Sequence, residues 1–259
     1  MSLINHFASI AMLAATAILP LSQDANAKTP AMKGVKNIVL VHGAFADGSS
    51  WANIIPMLQS KGYNVIAVQN PLTSLEDDVA ATKRAIALMD GPVLLVGHSY
   101  GGMVITEAGN DPKVAGLLYV CALVPNDGQS VIDVTQAFPP APGSSEFKPD
   151  ASGFLSLSFK GIDQYFAQDL PEETRKTIYA TQTPWAAKAT TTKVTKASWK
   201  DKSSWFIIGL DDQMVPVDLA KAEAKMINAK TLELKSSHIP MVSQPKKVAD
   251  FIIGAAQQL

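Results

Sequence analysis

The chain has a single cysteine, Cys121, in 259 residues. One thiol cannot close an internal disulfide, so the folded domain must be held by its core alone. An excess of either charge is also missing: 22 lysines and arginines oppose 23 aspartates and glutamates, for a net charge of −1 and no long basic run. That balance argues against nucleic acid or an anionic membrane surface as a partner. The lysines between Lys188 and Lys202 are spaced out among threonines and read as a solvated face. Beyond the N-terminus no apolar run reaches membrane-spanning length, and no internal repeat is visible.

The N-terminus itself reads as a targeting segment. Ala8 to Leu21 is nearly all apolar, is short for a bilayer span and is broken by Pro20. Ala25-Asn26-Ala27 then supplies the small-x-small pattern that a signal peptidase accepts. Residues 1–27 are therefore expected to be a signal peptide cleaved after Ala27, with the mature chain periplasmic or secreted. Against this, the first residues carry no lysine or arginine, and the alternative is an apolar amphipathic helix that stays attached. No cysteine follows the cleavage point to take a lipid anchor.

What remains, residues 28–259, is enough chain for one large α/β domain, and 47% apolar content can fill its core. Ile38-Val39-Leu40-Val41 and Val93-Leu94-Leu95-Val96 are short continuous apolar runs, the pattern of strands buried on both faces of a parallel sheet. Helices are expected at about 51–60, 75–89 and 103–110, with strands at 63–68 and 114–123 between them. After Pro125 the alternation stops. Residues 126 to about 203 hold a Pro-rich stretch at 138–143, an apolar patch at 154–159 and helix-like runs near 162–168 and 171–181. A segment that long is a functional insertion rather than a loop, and it reads as a mostly helical cap. The sheet resumes at Trp205, followed by a helix (218–227), a strand (231–234) and a closing helix (246–258). The fold class expected is α/β: a mostly parallel open sheet of about six strands with helices on both faces, a core of 35–125 and 204–259, and the cap between.

The stretch that carries chemistry is Gly97-His98-Ser99-Tyr100-Gly101, Gly-x-Ser-x-Gly directly after a strand and before a helix. A strand entering a helix through one sharp turn strains the residue at its apex, and glycines on either side admit the close backbone approach. Ser99 would then stand proud of the sheet beside a helix N-terminus. A serine hydroxyl needs a base. Of four histidines, His6 lies in the targeting segment, His98 adjoins Ser99, and His42 is placed to brace the first turn. His238 remains, just past the last strand, where the carboxyl ends of parallel strands line a crevice. The imidazole needs a carboxylate, and two adjacent aspartates compete after the penultimate strand. Asp212 is preferred because it stands four before Pro216, which opens the next helix; Asp211 becomes a turn residue, and Glu107 and Asp127 are read as solvated. The two backbone donors of an oxyanion hole are assigned to Tyr100, next to the nucleophile, and Ala44 in the first turn, with Phe45 beside it left open.

Val41-His42-Gly43-Ala44, the Gly97–Gly102 elbow, Asp212-x-x-Val215-Pro216 and His238-x-Pro240-Met241 together resemble the α/β-hydrolase fold. Within it they are similar to the small-esterase branch that includes plant methyl esterases and hydroxynitrile lyases, and to bacterial exported hydrolases. The resemblance covers residues 35–258. It implies acyl transfer from a small-molecule ester through an acyl-enzyme on Ser99, with no cofactor and no metal; a homodimer stays open. Hydroxynitrile lyases carry a lysine after the histidine and a hydroxyl residue at the position of Gly43. Here Ile239 and Gly43 stand there, which points away from cyanohydrin cleavage. Another cofactor-free lyase or acyl-transfer reaction, or a non-catalytic ligand-binding role, stays as the alternative. The cap's Phe138, Phe154, Phe159, Tyr165, Phe166 and Trp185 favour a hydrophobic or aryl substrate.

Overall fold

In the computed structural model, residues 33–259 are described. The apolar segment at 8–21 and the small-x-small pattern at 25–27 lie outside them. Strands β1 (Asn37–Val41), β2 (Asn64–Val68), β3 (Val93–His98), β4 (Val114–Val120), β8 (Ser203–Gly209) and β9 (Lys230–Leu234) form one sheet in the order β2-β1-β3-β4-β8-β9. Every pairing in it is parallel. β1 and β3 are buried along their whole length, while β2 and β9, at the two edges, are partly exposed. That difference follows from the sequence: continuous aliphatic runs tolerate apolar cover on both faces, whereas Lys230-Thr231-Leu232-Glu233-Leu234 can be covered on one face only.

The connection from β1 to β2 runs one way along the sheet, and those from β2 to β3, β3 to β4 and β8 to β9 run the other. Right-handed crossovers therefore put α1 (Ile55–Gln59) on one face and α2 (Leu75–Ala87), α3 (Gly101–Ala108) and α7 (Val217–Met226) on the opposite one. Accordingly α2 packs on α3, and α1 on the closing helix α9 (Pro245–Ala256).

Element ends differ from the sequence reading in two informative places. The first helix is not continuous: a 3₁₀ turn at Gly48–Trp51, capped by Asp47, is followed by a fresh start at Ile55 with Pro56 in its first turn. Proline lacks the N–H an unbroken helix would need there but suits a helix start. β4 stops at Val120 rather than 123, because Cys121 takes a left-handed φ of 45° and turns the chain off the sheet. Leu123 N–H then donates to the Ser99 carbonyl, tying this strand end to the elbow.

Residues 126–203 leave the sheet between β4 and β8 and carry α4 (Val131–Thr135), α5 (Phe159–Gly161) running into a π turn (Ile162–Phe166), and α6 (Glu172–Thr181). In addition, β5 (Phe147–Pro149), β6 (Phe154–Leu157) and β7 (Trp185–Ala186) make a three-stranded antiparallel sheet. Its strands are too short for period-two patterning to announce them. Asp127 is exposed and Glu107 partly so, as expected, yet both also make contacts: Glu107 accepts from Thr195 N–H and hydroxyl, and Asp127 from Ala197 N–H and Lys200. Both pin the insertion's return limb.

Candidate active site

Ser99 sits at the apex between β3 and α3 with φ of 55°. A left-handed serine costs about 1–3 kcal/mol. Against it stand Val93, Leu94, Leu95 and Val96, all fully buried, each contributing about 1.5–3 kcal/mol of apolar burial; the strand holds the strain with ease. A Cβ on Gly97 would lie 2.7 Å from the Gly101 carbonyl oxygen, and one on Gly101 2.7 Å from that of Val41, so the turn can close this tightly only with glycine at both places.

Ser99 Oγ lies 2.9 Å from His238 Nε2, and His238 Nδ1 lies 2.8 Å from Asp212 Oδ2. A proton on Nδ1 satisfies the carboxylate and leaves Nε2 free to accept from the hydroxyl. Asp212 Oδ1 accepts Met214 and Val215 N–H at 2.8 and 3.0 Å, which fixes the carboxylate's rotation. His238 and Asp212 are 1% and 8% exposed, while Ser99 is only half-buried, so Ser99 is the member open to a ligand. Asp211 is exposed and meets the site only through its backbone. Gly209 matters here, because a Cβ on it would stand 2.8 Å from the Ser237 carbonyl oxygen; its absence lets the Asp212 and His238 loops touch.

The other two described histidines lie outside this relay. His42 accepts Asn70 N–H at Nε2 and donates from Nδ1 to the Gly43 carbonyl, and burial holds its pKa low. His98 is wholly buried, which keeps it neutral with its pKa well below the usual range. Its Nε2 donates to the His238 carbonyl. Ala44 and Tyr100 both border the cavity in front of Ser99, and neither backbone N–H has an acceptor among the described residues.

That cavity is about 450 Å³ and reaches from the elbow up into the insertion. Of the cap aromatics, Phe138, Phe166 and Trp185 line it; Phe159 pairs with Tyr179, and Phe154 and Tyr165 stand elsewhere. Phe147, Val131 and Pro140 line it too. The sequence reading missed these three, since nothing local distinguishes a pocket wall from a core residue. It also missed a clamp: Gln168 donates to the Asp211 carbonyl and Asp169 accepts Ser237 N–H, so one turn of the insertion grips the loops that carry Asp212 and His238. Ile239 borders a separate cavity of about 170 Å³ behind Phe45 and Phe166. A Cβ at Gly43 would lie 2.6 Å from Ser99 Cβ, leaving no room there for a hydroxyl-bearing residue.

Residues 38–251 match the alpha/beta hydrolase family. The chain is 25% identical to a pyrethroid hydrolase of Sphingobium wenxiniae, the match covering 86% of this chain and 88% of that one. It is 25% identical to putative methylesterase 13, chloroplastic, of Arabidopsis thaliana, over 86% of this chain and 56% of that protein. Among solved structures, tomato methylketone synthase I complexed with 2-tridecanone superposes with a TM-score of 0.75 at 20% identity, covering 86% and 98% of the two chains. That structural likeness concerns the fold, which by itself assigns no substrate.

Proposed function

The chain belongs to the alpha/beta hydrolase family, and from that premise we propose that it is a serine carboxylesterase acting on neutral, hydrophobic or aryl esters. What carries this reading is the relay from Asp212 through His238 to Ser99, with spacings of 2.8 and 2.9 Å and its open end facing an apolar cavity. Ser99 Oγ gives its proton to His238 Nε2 and bonds to the ester carbonyl carbon. The carbonyl oxygen takes up negative charge beside the Ala44 and Tyr100 N–H groups. Collapse of the tetrahedral species expels the alcohol, which takes the proton from His238. Water then enters, gives a proton to His238 and bonds to the acyl carbon; the bond to Ser99 Oγ breaks, His238 returns the proton to that oxygen, and the acid is released. Asp212 stays ionised and stabilises the imidazolium formed in each half-reaction.

Substrate class follows from the walls. None of the described residues lining the cavity is charged, and its volume falls in the range that small-molecule sites occupy. A carboxylate or ammonium on the substrate would lose hydration there without a partner. Relatives named for pyrethroid and methyl-ester hydrolysis agree with such a substrate. Gly43 and Ile239 weigh against a cyanohydrin lyase. The N-terminal 27 residues serve, in the same reading, as an export signal, which mature protein beginning at Lys28 would display by intact mass. No described helix is long and apolar enough to cross a membrane.

The deciding experiment is hydrolysis of p-nitrophenyl and methyl aryl esters together with labelling by a fluorophosphonate. Turnover and labelling are both expected, and Ser99→Ala should abolish both, with a loss on the order of 10⁵-fold. A folded protein that neither labels nor hydrolyses any ester would make it a non-catalytic binder.

A further inference from the structure

Asp78 is a carboxylate with no exposed surface, on the first turn of α2. Its sequence neighbours Glu76 and Asp77 face outward, and in the chain the three look alike. In the fold Asp78 alone turns inward, with no salt bridge to it among the described residues. Two donors meet it. Leu72 N–H reaches Oδ1 at 2.8 Å, and the Tyr100 hydroxyl reaches Oδ2 at 2.9 Å. Tyr100 is the residue after the nucleophile, 2% exposed, and its ring lies 4.9 Å from that of Trp185, a wall of the main cavity. Leu72 is held at φ of 55°, unusual for a leucine, and its carbonyl accepts Ala186 N–H from β7 of the insertion. One carboxylate thus binds the elbow directly and the insertion through a single residue.

A buried charge without a cation is costly, and an apolar pair would fill the same space more cheaply. Its presence at a junction between the elbow and the substrate cavity calls for a geometric reason. We propose that Asp78 is a positioning residue for ester hydrolysis: by holding the Tyr100 hydroxyl it keeps the Tyr100 N–H aimed at the developing oxyanion. This rests on the serine-esterase reading above. Burial, helped by Asp77 and Glu76, pushes the Asp78 pKa up to about 6, while its two hydrogen bonds pull it down. Above that pH it accepts from both donors. Below it, one oxygen carries a proton and the hold on Tyr100 changes.

The test compares wild type, Asp78→Asn, Tyr100→Phe and the double variant on p-nitrophenyl acetate between pH 5 and 9. At pH 8 each single variant should lose about 10-fold in kcat, a fraction of what deleting an oxyanion donor costs, with KM nearly unchanged. The double variant should lose no more than the worse single one, because both act through one bond. The ratio of wild-type to Asp78→Asn kcat should fall toward one below pH 6. Wild-type kcat in either folded variant, losses that multiply, or a ratio flat in pH would each overturn the proposal. If Asp78→Asn alone does not fold by circular dichroism, Tyr100→Phe decides; if neither folds, the pair is only structural and the proposal fails. A wild type that turns over no ester, or an active Ser99→Ala, instead sinks the underlying esterase reading.

Discussion

His98 Nε2 donates to the backbone carbonyl of His238 across 2.9 Å, and the two rings stand 4.7 Å apart. The histidine beside Ser99 therefore holds the residue proposed as base, by its main chain and not by its ring. Phe166 presses edge-on against both imidazoles, at 6.4 and 5.2 Å. Burial keeps His98 neutral, so the contact does not place a second positive charge against the imidazolium formed on His238.

His98→Ala should therefore lower kcat by about 10- to 100-fold while leaving KM nearly unchanged, since a small misplacement of a catalytic group is costly. His98→Gln, which can offer an N–H along a similar direction, should recover part of the loss. Steady-state kinetics on an aryl ester decide this; a His98→Ala enzyme with wild-type kcat would make the bond incidental.

Asp212→Asn should reduce kcat by roughly 10⁴-fold, because an amide favours the wrong imidazole tautomer. Asp211→Asn should change little, as its side chain is exposed and only its backbone is engaged. The same ester assay separates them, and a reversed ranking would move the acid to Asp211.

Gly43→Ala should cut activity strongly and Gly43→Thr should abolish it. The added Cβ falls 2.6 Å from Ser99 Cβ and 2.8 Å from the His98 carbonyl oxygen, both too rigid to yield. Combining Gly43→Thr with Ile239→Lys should therefore give a dead protein rather than a lyase. Mandelonitrile cleavage by that double variant, measured as benzaldehyde release, would refute the steric account.

Glu223 offers a test in stability. It is 4% exposed, one oxygen accepts Val124 N–H, the other has no partner among the described residues, and burial raises its pKa well above the ordinary value. The folded state thus holds a proton that the unfolded chain releases above about pH 4.3. Folding loses up to about 1.4 kcal/mol per pH unit from there up to the folded pKa. Glu223→Gln should melt at nearly the wild-type temperature at pH 4 and progressively above it toward pH 8. A difference in Tm that is constant with pH would contradict this.

The buried strands and the sharp turn that carries Ser99 were legible in the chain because both depend on local chemistry. Val93–Val96 is too apolar and too short for anything but a buried strand, and Gly97 is required by the Gly101 carbonyl just along the chain. His238 and Asp212 could be proposed because parallel strands deliver their carboxyl ends to one edge whatever the loops do. Tertiary structure alone decided the rest. The 168–169 clamp joins partners 43 and 68 residues apart, and the bond from His98 to His238 spans 140. Asp78 and Glu223 look like any acidic residue on an amphipathic helix until packing buries them. Which cap aromatics face the cavity, and which carboxylates lose their water, depends on where distant segments meet, and no local pattern of residues encodes that meeting.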